Sequence, residues 1–188
     1  FTNSAFTNNR EYAVIDRAPA DVSEVAGIFQ ADWNQAAYKP VAPNLVVSPD
    51  NSRRKLLDLI DSAKHTLVMQ CEVIGDQAIA DHLGARAKAG VDIRVMLSNM
   101  AGKQGNGAST NEAERKQLAA AGITQVAFMK SRVMHAKTIE VDGTRAFIGS
   151  ENMTTNSLDH NRELGILVQD PTLLSQLDTV LKKDWSQG

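Results

Sequence analysis

The amino-acid sequence predicts an α/β fold in which helices cover a central β-sheet. Short apolar runs of strand length alternate with longer segments whose apolar residues recur every three or four positions. This alternation is typical of a sheet that carries helices on both faces. Helix-capping residues and glycines separate the segments, which supports the same assignment. The 188 residues are enough for one domain with a substantial core.

The individual segments follow one another along the whole chain. Gly90 and Gly122 stand where two of the predicted helices end. Residues 35–43 contain two prolines and are a predicted linker, and residues 101–109 contain three glycines and are a predicted loop, with Lys103 as a candidate substrate contact. The predicted strands cover residues 12–15, 44–48, 66–72, 91–97, 123–129, 135–141, 144–148 and 162–168. The predicted helices cover residues 20–34, 51–64, 76–89, 110–121 and 172–185.

The amino-acid composition limits the classes of binding partner that we expect. The formal net charge is −2, so the chain lacks the basic excess that accompanies bulk nucleic-acid binding, although a local basic groove is compatible with it. The single cysteine, Cys71, lies in an apolar run and is predicted to be a buried free thiol. No apolar stretch approaches the roughly 18 residues that a membrane-spanning helix needs. The first residues show no signal-peptide pattern.

The two ends of the chain resemble each other. Asn9-Arg10-Glu11 recurs 152 residues later as Asn161-Arg162-Glu163. At the same offset, Asp32-Trp33 recurs as Asp184-Trp185, and the apolar positions of the first and last predicted helices coincide. Agreement of a tripeptide and a tryptophan at one fixed offset indicates a duplicated unit. The alternative is that two similar strand–helix units converged on one pattern.

The duplication predicts two unequal domains. Residues 1–34 are expected to be the strand and helix that end a first repeat, and residues 35–188 a complete second repeat. In the second repeat, the matching strand and helix are preceded by residues 135–152, which carry the candidate site described below. We therefore expect a counterpart of that segment to precede Phe1.

A predicted hairpin gathers polar side chains. Asp142-Gly143 between two apolar runs is a strong signal for a two-residue turn, and we interpret both residues as structural. A turn at this position pairs Lys137 with Ile148 and His135 with Ser150. The two polar residues of the first strand therefore lie opposite the end of the second.

The same hairpin end holds further functional groups. His135 and Lys137 are two residues apart and leave the strand on one face. Ser150 pairs with that face, and the amide of Asn152 follows two residues later. Gly149, interpreted as a structural residue, lets a bound group approach the backbone closely. An imidazole, an ammonium, a hydroxyl and an amide are thus predicted to share one site.

These groups suit a phosphodiester. Lys137 supplies positive charge, and Ser150 and Asn152 supply donors for the non-bridging oxygens. His135 can attack phosphorus or protonate the leaving oxygen. Either role requires a partner that fixes the imidazole tautomer, and Glu163 on the following strand is the candidate. The sequence contains no cysteine or histidine cluster with metal-ligand spacing, so it requires no metal or other cofactor.

The segment as a whole resembles the HKD motif of the phospholipase D superfamily. His135-x-Lys137, Asp142 and Gly149-Ser150-x-Asn152 stand at every defining position of that motif, and Glu163 matches the acidic partner of the catalytic histidine. The resemblance implies an α/β/α sandwich with a mixed central β-sheet. It also implies an active site built from two HKD motifs, a covalent phosphohistidine intermediate and no metal cofactor.

This chain has one HKD motif where the resemblance implies two. We therefore expect a second half-site from an N-terminal half on the same parent chain, from a companion chain, or from a second copy. Asn9 and Glu11 match Asn161 and Glu163 and are expected to serve the histidine of that other half.

Three functions follow from these observations. The first is a phosphodiesterase or phosphatidyltransferase acting on phospholipids, and the near-neutral net charge favours this function. A secreted, periplasmic or peripheral membrane location is then favoured. The second is a nuclease of the same superfamily, for which nucleic acid is the substrate. The third is an isolated half without activity until its partner half is present.

Overall fold

The computed structural model describes residues 2–99 and 110–188. The predicted loop at 101–109, with Lys103, lies outside the described residues. The helices are α1 (Asn3–Thr7), α2 (Pro19–Trp33), α3 (Ser52–Asp61), α4 (Gln77–Lys88), α5 (Thr110–Ala120), α6 (Thr155–Asp159) and α7 (Pro171–Trp185). The strands are β1 (Asn9–Arg10), β2 (Leu45–Ser48), β3 (Thr66–Cys71), β4 (Asp92–Ser98), β5 (Gln125–Met129), β6 (Val133–Met134), β7 (Lys137–Val141), β8 (Arg145–Gly149) and β9 (Glu163–Val168).

Most of these strands join one mixed sheet. Within the described residues, seven strands follow the order β2-β9-β8-β7-β3-β4-β5. Strands β3, β4 and β5 are parallel, as expected for strands joined through helices, and the neighbours from β2 to β3 are antiparallel. The predicted α/β fold with a mixed central sheet is therefore confirmed.

The two faces of the sheet are covered by different helices. On one face, apolar residues of α3, α4 and α5 pack with β3, β4 and β7 in the larger core. On the other face, α7 packs on β8 and β9 through Leu174, Leu177 and Leu181. Alternating strand residues supply the two cores, so this arrangement is an α/β/α sandwich. Cys71 is a buried free thiol, as predicted. Among the described helices, none has both the length and the apolar character for crossing a bilayer.

The N-terminal residues differ from the prediction. The strand predicted at 12–15 does not form, and residues 11–18 have no regular secondary structure. Instead β1 pairs in parallel with β6, where Asn9 lies opposite Val133 and Arg10 opposite Met134. A sequence pattern can identify a strand, but it does not show which strand pairs with it. Without a pairing strand, the backbone N–H and C=O groups of a segment need other hydrogen-bond partners.

The register of the central hairpin also differs by one residue. Thr138 lies opposite Ile148 and Val141 opposite Arg145, so the predicted pairs of Lys137 with Ile148 and of His135 with Ser150 are wrong. The connection holds three residues rather than two, with positive φ at Asp142 and Gly143. The strand predicted at 135–141 is also interrupted, since β6 ends before His135 and β7 begins after Ala136.

Candidate active site

His135 lies in the short gap between β6 and β7. Its backbone N–H donates to the carbonyl of Arg10 at 3.2 Å, which fixes the N-terminal tail beside it. The imidazole Nδ1 lies 2.8 Å from Glu11 Oε1, and Nε2 lies 3.5 Å from Glu72 Oε2. The Nδ1 contact has the separation of an ion pair, but its alignment is not that of a hydrogen bond. The ring is 44% exposed, so a ligand can reach it.

The tail therefore brings a carboxylate to His135 from the opposite end of the chain. Asn9 Nδ2 donates to Glu11 Oε1 at 3.1 Å and holds this carboxylate in place. The pairing differs from the prediction, which gave Glu163 to His135 and gave Glu11 to a histidine elsewhere. The difference arises because the parallel β1–β6 pair places the start of the tail directly beside the start of the HKD segment.

Glu163 instead receives three hydrogen bonds at the start of β9. Ser150 Oγ donates at 2.6 Å, Ser157 Oγ at 3.2 Å and Asn161 Nδ2 at 3.2 Å. The Asn161–Glu163 contact repeats the Asn9–Glu11 contact at the other end of the chain. Glu163 lines the same cavity as His135, but a different set of partners orients its carboxylate.

Lys137 is buried at the floor of the site. Its Nζ donates to the carbonyl of His135 at 2.8 Å and to Glu72 Oε2 at 2.9 Å. The amide Nδ2 of Asn152 lies 3.5 Å from the same Glu72 oxygen. One carboxylate oxygen therefore contacts the imidazole, the ammonium and the amide that the sequence predicts for phosphate binding.

Glu72 is the site residue that sequence reasoning missed. It follows β3 directly, and β3 pairs with β7 so that Cys71 lies opposite Lys137. A carboxylate directly after a mostly apolar strand is the signal that could have identified it. The signal is weak alone, because the side chain becomes part of the site only when β3 and β7 are known to be neighbours.

Glycines allow β8 and β9 to approach closely beside the site. A Cβ on Gly149 would lie 2.7 Å from the Cα of Gly165, on the paired strand. The hydroxyl of the adjacent Ser150 accepts the backbone N–H of Leu164 at 3.1 Å. The predicted structural role of Gly149 thus has a geometric basis, and Ser150 is oriented from two sides.

Glu151, the residue after Ser150, is a fully buried carboxyl group. It is 0% exposed, and neither carboxyl oxygen has a hydrogen-bond partner among the described residues. Burial raises the pKa of Glu151 to about 8, and the nearby charge of Glu163 acts in the same direction. The group is therefore mainly protonated at neutral pH, because an unpaired charge in this position would be costly.

Asp142 has a structural role outside the cavity. Its carboxylate accepts the backbone N–H groups of Lys64, His65 and Thr66 at 2.9, 2.8 and 2.8 Å. Burial opposes its ionisation, but these hydrogen bonds outweigh burial and lower the pKa of Asp142. The motif aspartate thus ties the β7–β8 turn to the start of β3, which fixes β7 against its neighbour.

The site opens into a cavity of about 760 Å³. One end is polar and contains the residues described above. The other end has mainly apolar residues from α2, the tail and the edge of the sheet, and the lining also includes Asp16 and Asp21. The polar end is lined by Glu11, Glu72, His135, Lys137, Ser150, Asn152 and Glu163, and the apolar end includes Val14, Val22, Val25, Leu45 and Ile166.

The fold and this arrangement define a member of the phospholipase D superfamily. A mixed α/β/α sandwich carries one HKD motif whose histidine, lysine and asparagine meet at one cavity. Residues 56–185 match the family model described as the PLD-like domain of cardiolipin synthase. The chain therefore belongs to that family.

Curated relatives in this family are longer proteins. The chain is 27% identical over 183 residues to a cardiolipin synthase of Listeria welshimeri, and the match covers 83% of this chain and 37% of the relative. It is 28% identical over 182 residues to the major cardiolipin synthase ClsA of Bacillus subtilis, with the same two coverages. The chain thus spans less than two fifths of the length of these relatives.

Solved structures show the same fold. Nuc of Salmonella typhimurium, a phospholipase D family member, superposes with a TM-score of 0.67 at 26% identity, covering 77% of this chain and 93% of that chain. NucT of Helicobacter pylori superposes with a TM-score of 0.62 at 18% identity, covering 76% and 94%. The second likeness concerns the fold alone.

Proposed function

We propose that this chain supplies one of two HKD half-sites of a phospholipase D-type phosphodiesterase that acts on phospholipids. The observation that carries the proposal is the position of His135. Its Nδ1 lies 2.8 Å from the carboxylate of Glu11, while its ring stands at a cavity that also holds Lys137, Ser150 and Asn152. A carboxylate at Nδ1 favours the tautomer that leaves the Nε2 lone pair free for chemistry.

The proposed reaction proceeds in two displacements at phosphorus. The Nε2 of one histidine forms a bond to phosphorus while the bond to the alcohol oxygen breaks, and the histidine of the other half protonates that oxygen. Water or a second alcohol then attacks phosphorus and gives its proton to the histidine that protonated the first leaving oxygen. The bond between phosphorus and Nε2 breaks, giving hydrolysis or phosphatidyl transfer. His135 takes one of these two roles. The phosphate displaces the Glu72 carboxylate. Lys137 and Asn152 then donate to the non-bridging oxygens of the phosphate.

The charge at the polar end supports the need for a second half. Among the described residues that line it, Lys137 is the cation, against the carboxylates of Glu11, Glu72 and Glu163. A phosphodiester brings a further negative charge, and its transition state concentrates charge on the oxygens. A second histidine and lysine would supply the missing positive charge.

The same balance of cations and carboxylates favours phospholipid over nucleic acid as the substrate. Nucleic-acid binding depends on many cation–phosphate contacts, whereas this chain has a net charge of −2 and a cavity rich in carboxylates. The curated relatives named above are cardiolipin synthases. A lipid head group presents one phosphodiester at a time, which fits a site with few cations.

The substrate test compares two phosphodiesters under one set of conditions. The polypeptide translated from the complete reading frame is incubated with phosphatidylglycerol vesicles or with plasmid DNA, in the presence of a chelator. Release of the head group or formation of a transfer product without DNA cleavage supports the proposal. DNA cleavage without lipid turnover would assign the nuclease function instead.

The half-site test uses the 188-residue chain alone. We expect little or no turnover by this chain as a monomer, and full turnover by the complete product. Native mass spectrometry of the same sample reports whether the chain forms a homodimer. Full activity of the monomer would contradict the half-site role, and an active homodimer would show that two copies share one site.

A further inference from the structure

Two carboxylates of the site, Glu11 and Glu163, are held in different ways. Glu163 receives three side-chain hydrogen bonds, from Ser150, Ser157 and Asn161. Among the side chains of residues 2–99 and 110–188, only that of Asn9 donates a hydrogen bond to Glu11. The position of the Glu11 carboxylate against His135 Nδ1 therefore depends strongly on how the neighbouring residues of the tail are fixed.

Both neighbours of Glu11 in the chain belong to one hydrogen-bond network. Arg10 Nη2 lies 2.6 Å from Asp184 Oδ1 in α7. Gln70 Nε2 in β3 donates to the other oxygen of that carboxylate at 3.2 Å. Tyr12 Oη donates to Gln70 Oε1 at 2.8 Å. With the backbone of Glu11, these contacts close a ring, the tail ring, which consists of Arg10, Asp184, Gln70 and Tyr12.

The tail ring is largely buried, and each of its hydrogen bonds has a defined direction. Gln70 and Asp184 are both 1% exposed. A carboxylate only accepts, so the amide nitrogen of Gln70 donates to Asp184 and the amide oxygen accepts from Tyr12. Burial raises the pKa of Tyr12, so its hydroxyl remains a donor at neutral pH. Loss of one contact would leave buried polar groups without partners, which makes such a network rigid.

The tail ring is next to the catalytic histidine at two points. The carbonyl of Arg10 accepts the backbone N–H of His135 at 3.2 Å. Tyr12 packs against the apolar cluster that contains Met134 and Ala136, the residues on either side of His135. A shift of the tail would therefore change the position of the Glu11 carboxylate relative to the imidazole.

The second tail has no matching ring among the residues that the structure describes. Its residues at the matching positions, Arg162 and Asp32, pair at 2.9 Å, but their side chains are 41% and 38% exposed. Leu164 stands where the first tail has Tyr12, and it has no hydroxyl. The buried ring thus accompanies the tail whose carboxylate, that of Glu11, has fewer direct donors.

We infer that Tyr12 and Gln70 are positioning residues for the reaction, because the tail ring holds Glu11 against Nδ1 of His135. They act through Glu11, whose carboxylate selects the tautomer of the imidazole. The inference rests on the proposed function, since it names residues that serve the same site. It assigns a role in the reaction to residues that lie outside the HKD motif.

The tautomer of His135 tests the inference without a substrate. Long-range ¹H–¹⁵N NMR correlations of the 188-residue chain show which ring nitrogen of the neutral imidazole carries the proton. We expect the Nδ1–H tautomer to predominate in the wild type. In Tyr12→Phe and in Gln70→Met, its population should move at least about halfway toward that of Glu11→Gln. Tyr12 also lines the cavity, so this substrate-free measurement separates positioning from substrate contact.

The two variants open the same ring from different sides, so either one that folds decides the question. A tautomer population equal to that of the wild type in a folded variant would overturn the inference. Tyr38→Phe is the matched control, because it removes the hydroxyl of the other tyrosine, which belongs neither to the tail ring nor to the cavity lining. This control should keep the wild-type tautomer population.

Kinetics of the complete product with phosphatidylglycerol provide a second readout. Tyr12→Phe should lower kcat about tenfold and leave KM within about twofold. In the Glu11→Gln background, the same substitution should change kcat by no more than about twofold, because its effect passes through Glu11. Effects that multiply in the double variant would show that Tyr12 acts independently of Glu11 and would overturn the inference.

The two readouts separate this inference from the proposed function. A changed tautomer in the ring variants, with no lipid turnover by the wild type, would support the positioning role and refute the proposed activity. Lipid turnover by the wild type, with one tautomer population in all folded ring variants, would do the reverse.

Discussion

The buried carboxyl of Glu151 predicts a specific pH dependence of stability. The pKa of this group is raised from 4.5 to about 8 in the folded chain, so between these values the folded state holds a proton that the unfolded state has released. Stability therefore falls as the pH rises through this interval. At about 1.4 kcal/mol per pH unit, the loss between about pH 5 and about pH 8 reaches about 4 kcal/mol as an upper value.

Replacing Glu151 with glutamine removes the titrating group and keeps its shape. Near pH 5, where the wild-type carboxyl is protonated, Glu151→Gln should lower stability by about 1–2 kcal/mol, because its amide donors are buried without partners. The dependence on pH should nevertheless become flatter, so the variant should equal or exceed the wild type near pH 8. Urea denaturation of both proteins across this range measures the free energy of unfolding.

The matched control is Asp58→Asn, which removes an exposed carboxylate of α3. The side chain of Asp58 is 65% exposed, so this variant should keep the pH dependence of the wild type. Parallel curves for the wild type and Glu151→Gln between about pH 5 and about pH 8 would refute the assignment of a neutral buried carboxyl.

Three further substitutions test individual contacts. Glu11→Gln in the complete product should lower kcat about 100-fold with KM within about twofold, because His135 loses the charge at Nδ1; a changed KM with normal kcat would contradict this. Asp142→Ala should reduce the free energy of unfolding by about 1–3 kcal/mol in urea denaturation. This difference should disappear as the pH falls through the lowered pKa of Asp142. An unchanged urea midpoint at neutral pH would contradict the turn contacts. Glu72→Gln should strengthen binding of inorganic phosphate about three- to tenfold in calorimetry, since it removes a competing negative charge; weaker binding would show that Glu72 supports the anion site.

The residues that the sequence placed well are those whose positions depend on local pattern. Strand–helix alternation and caps identified most elements within a few residues, as for Thr66–Cys71 and Pro171–Trp185. The fixed spacing of the HKD motif brought His135, Lys137, Ser150 and Asn152 to one cavity, as expected. The one-residue change of hairpin register did not alter this, because the site depends on which strands are adjacent more than on their exact pairing.

The misplaced residues depend on contacts between distant segments. Glu11 reaches His135 only because β1 pairs with β6, and Glu72 reaches Lys137 only because β3 pairs with β7. Neither pairing is encoded in a local pattern. The strand predicted at 12–15 failed for a related reason, since a correct propensity forms no strand without neighbours.

We propose above all that His135 takes a direct part in breaking a phosphodiester bond. The most direct measurement is the rate at which the complete product hydrolyses bis(p-nitrophenyl) phosphate, for the wild type and for His135→Ala. The account predicts that the variant, folded with an unchanged Tm, loses at least about 10³-fold in kcat. Full turnover by His135→Ala would contradict the account, whichever substrate the enzyme uses.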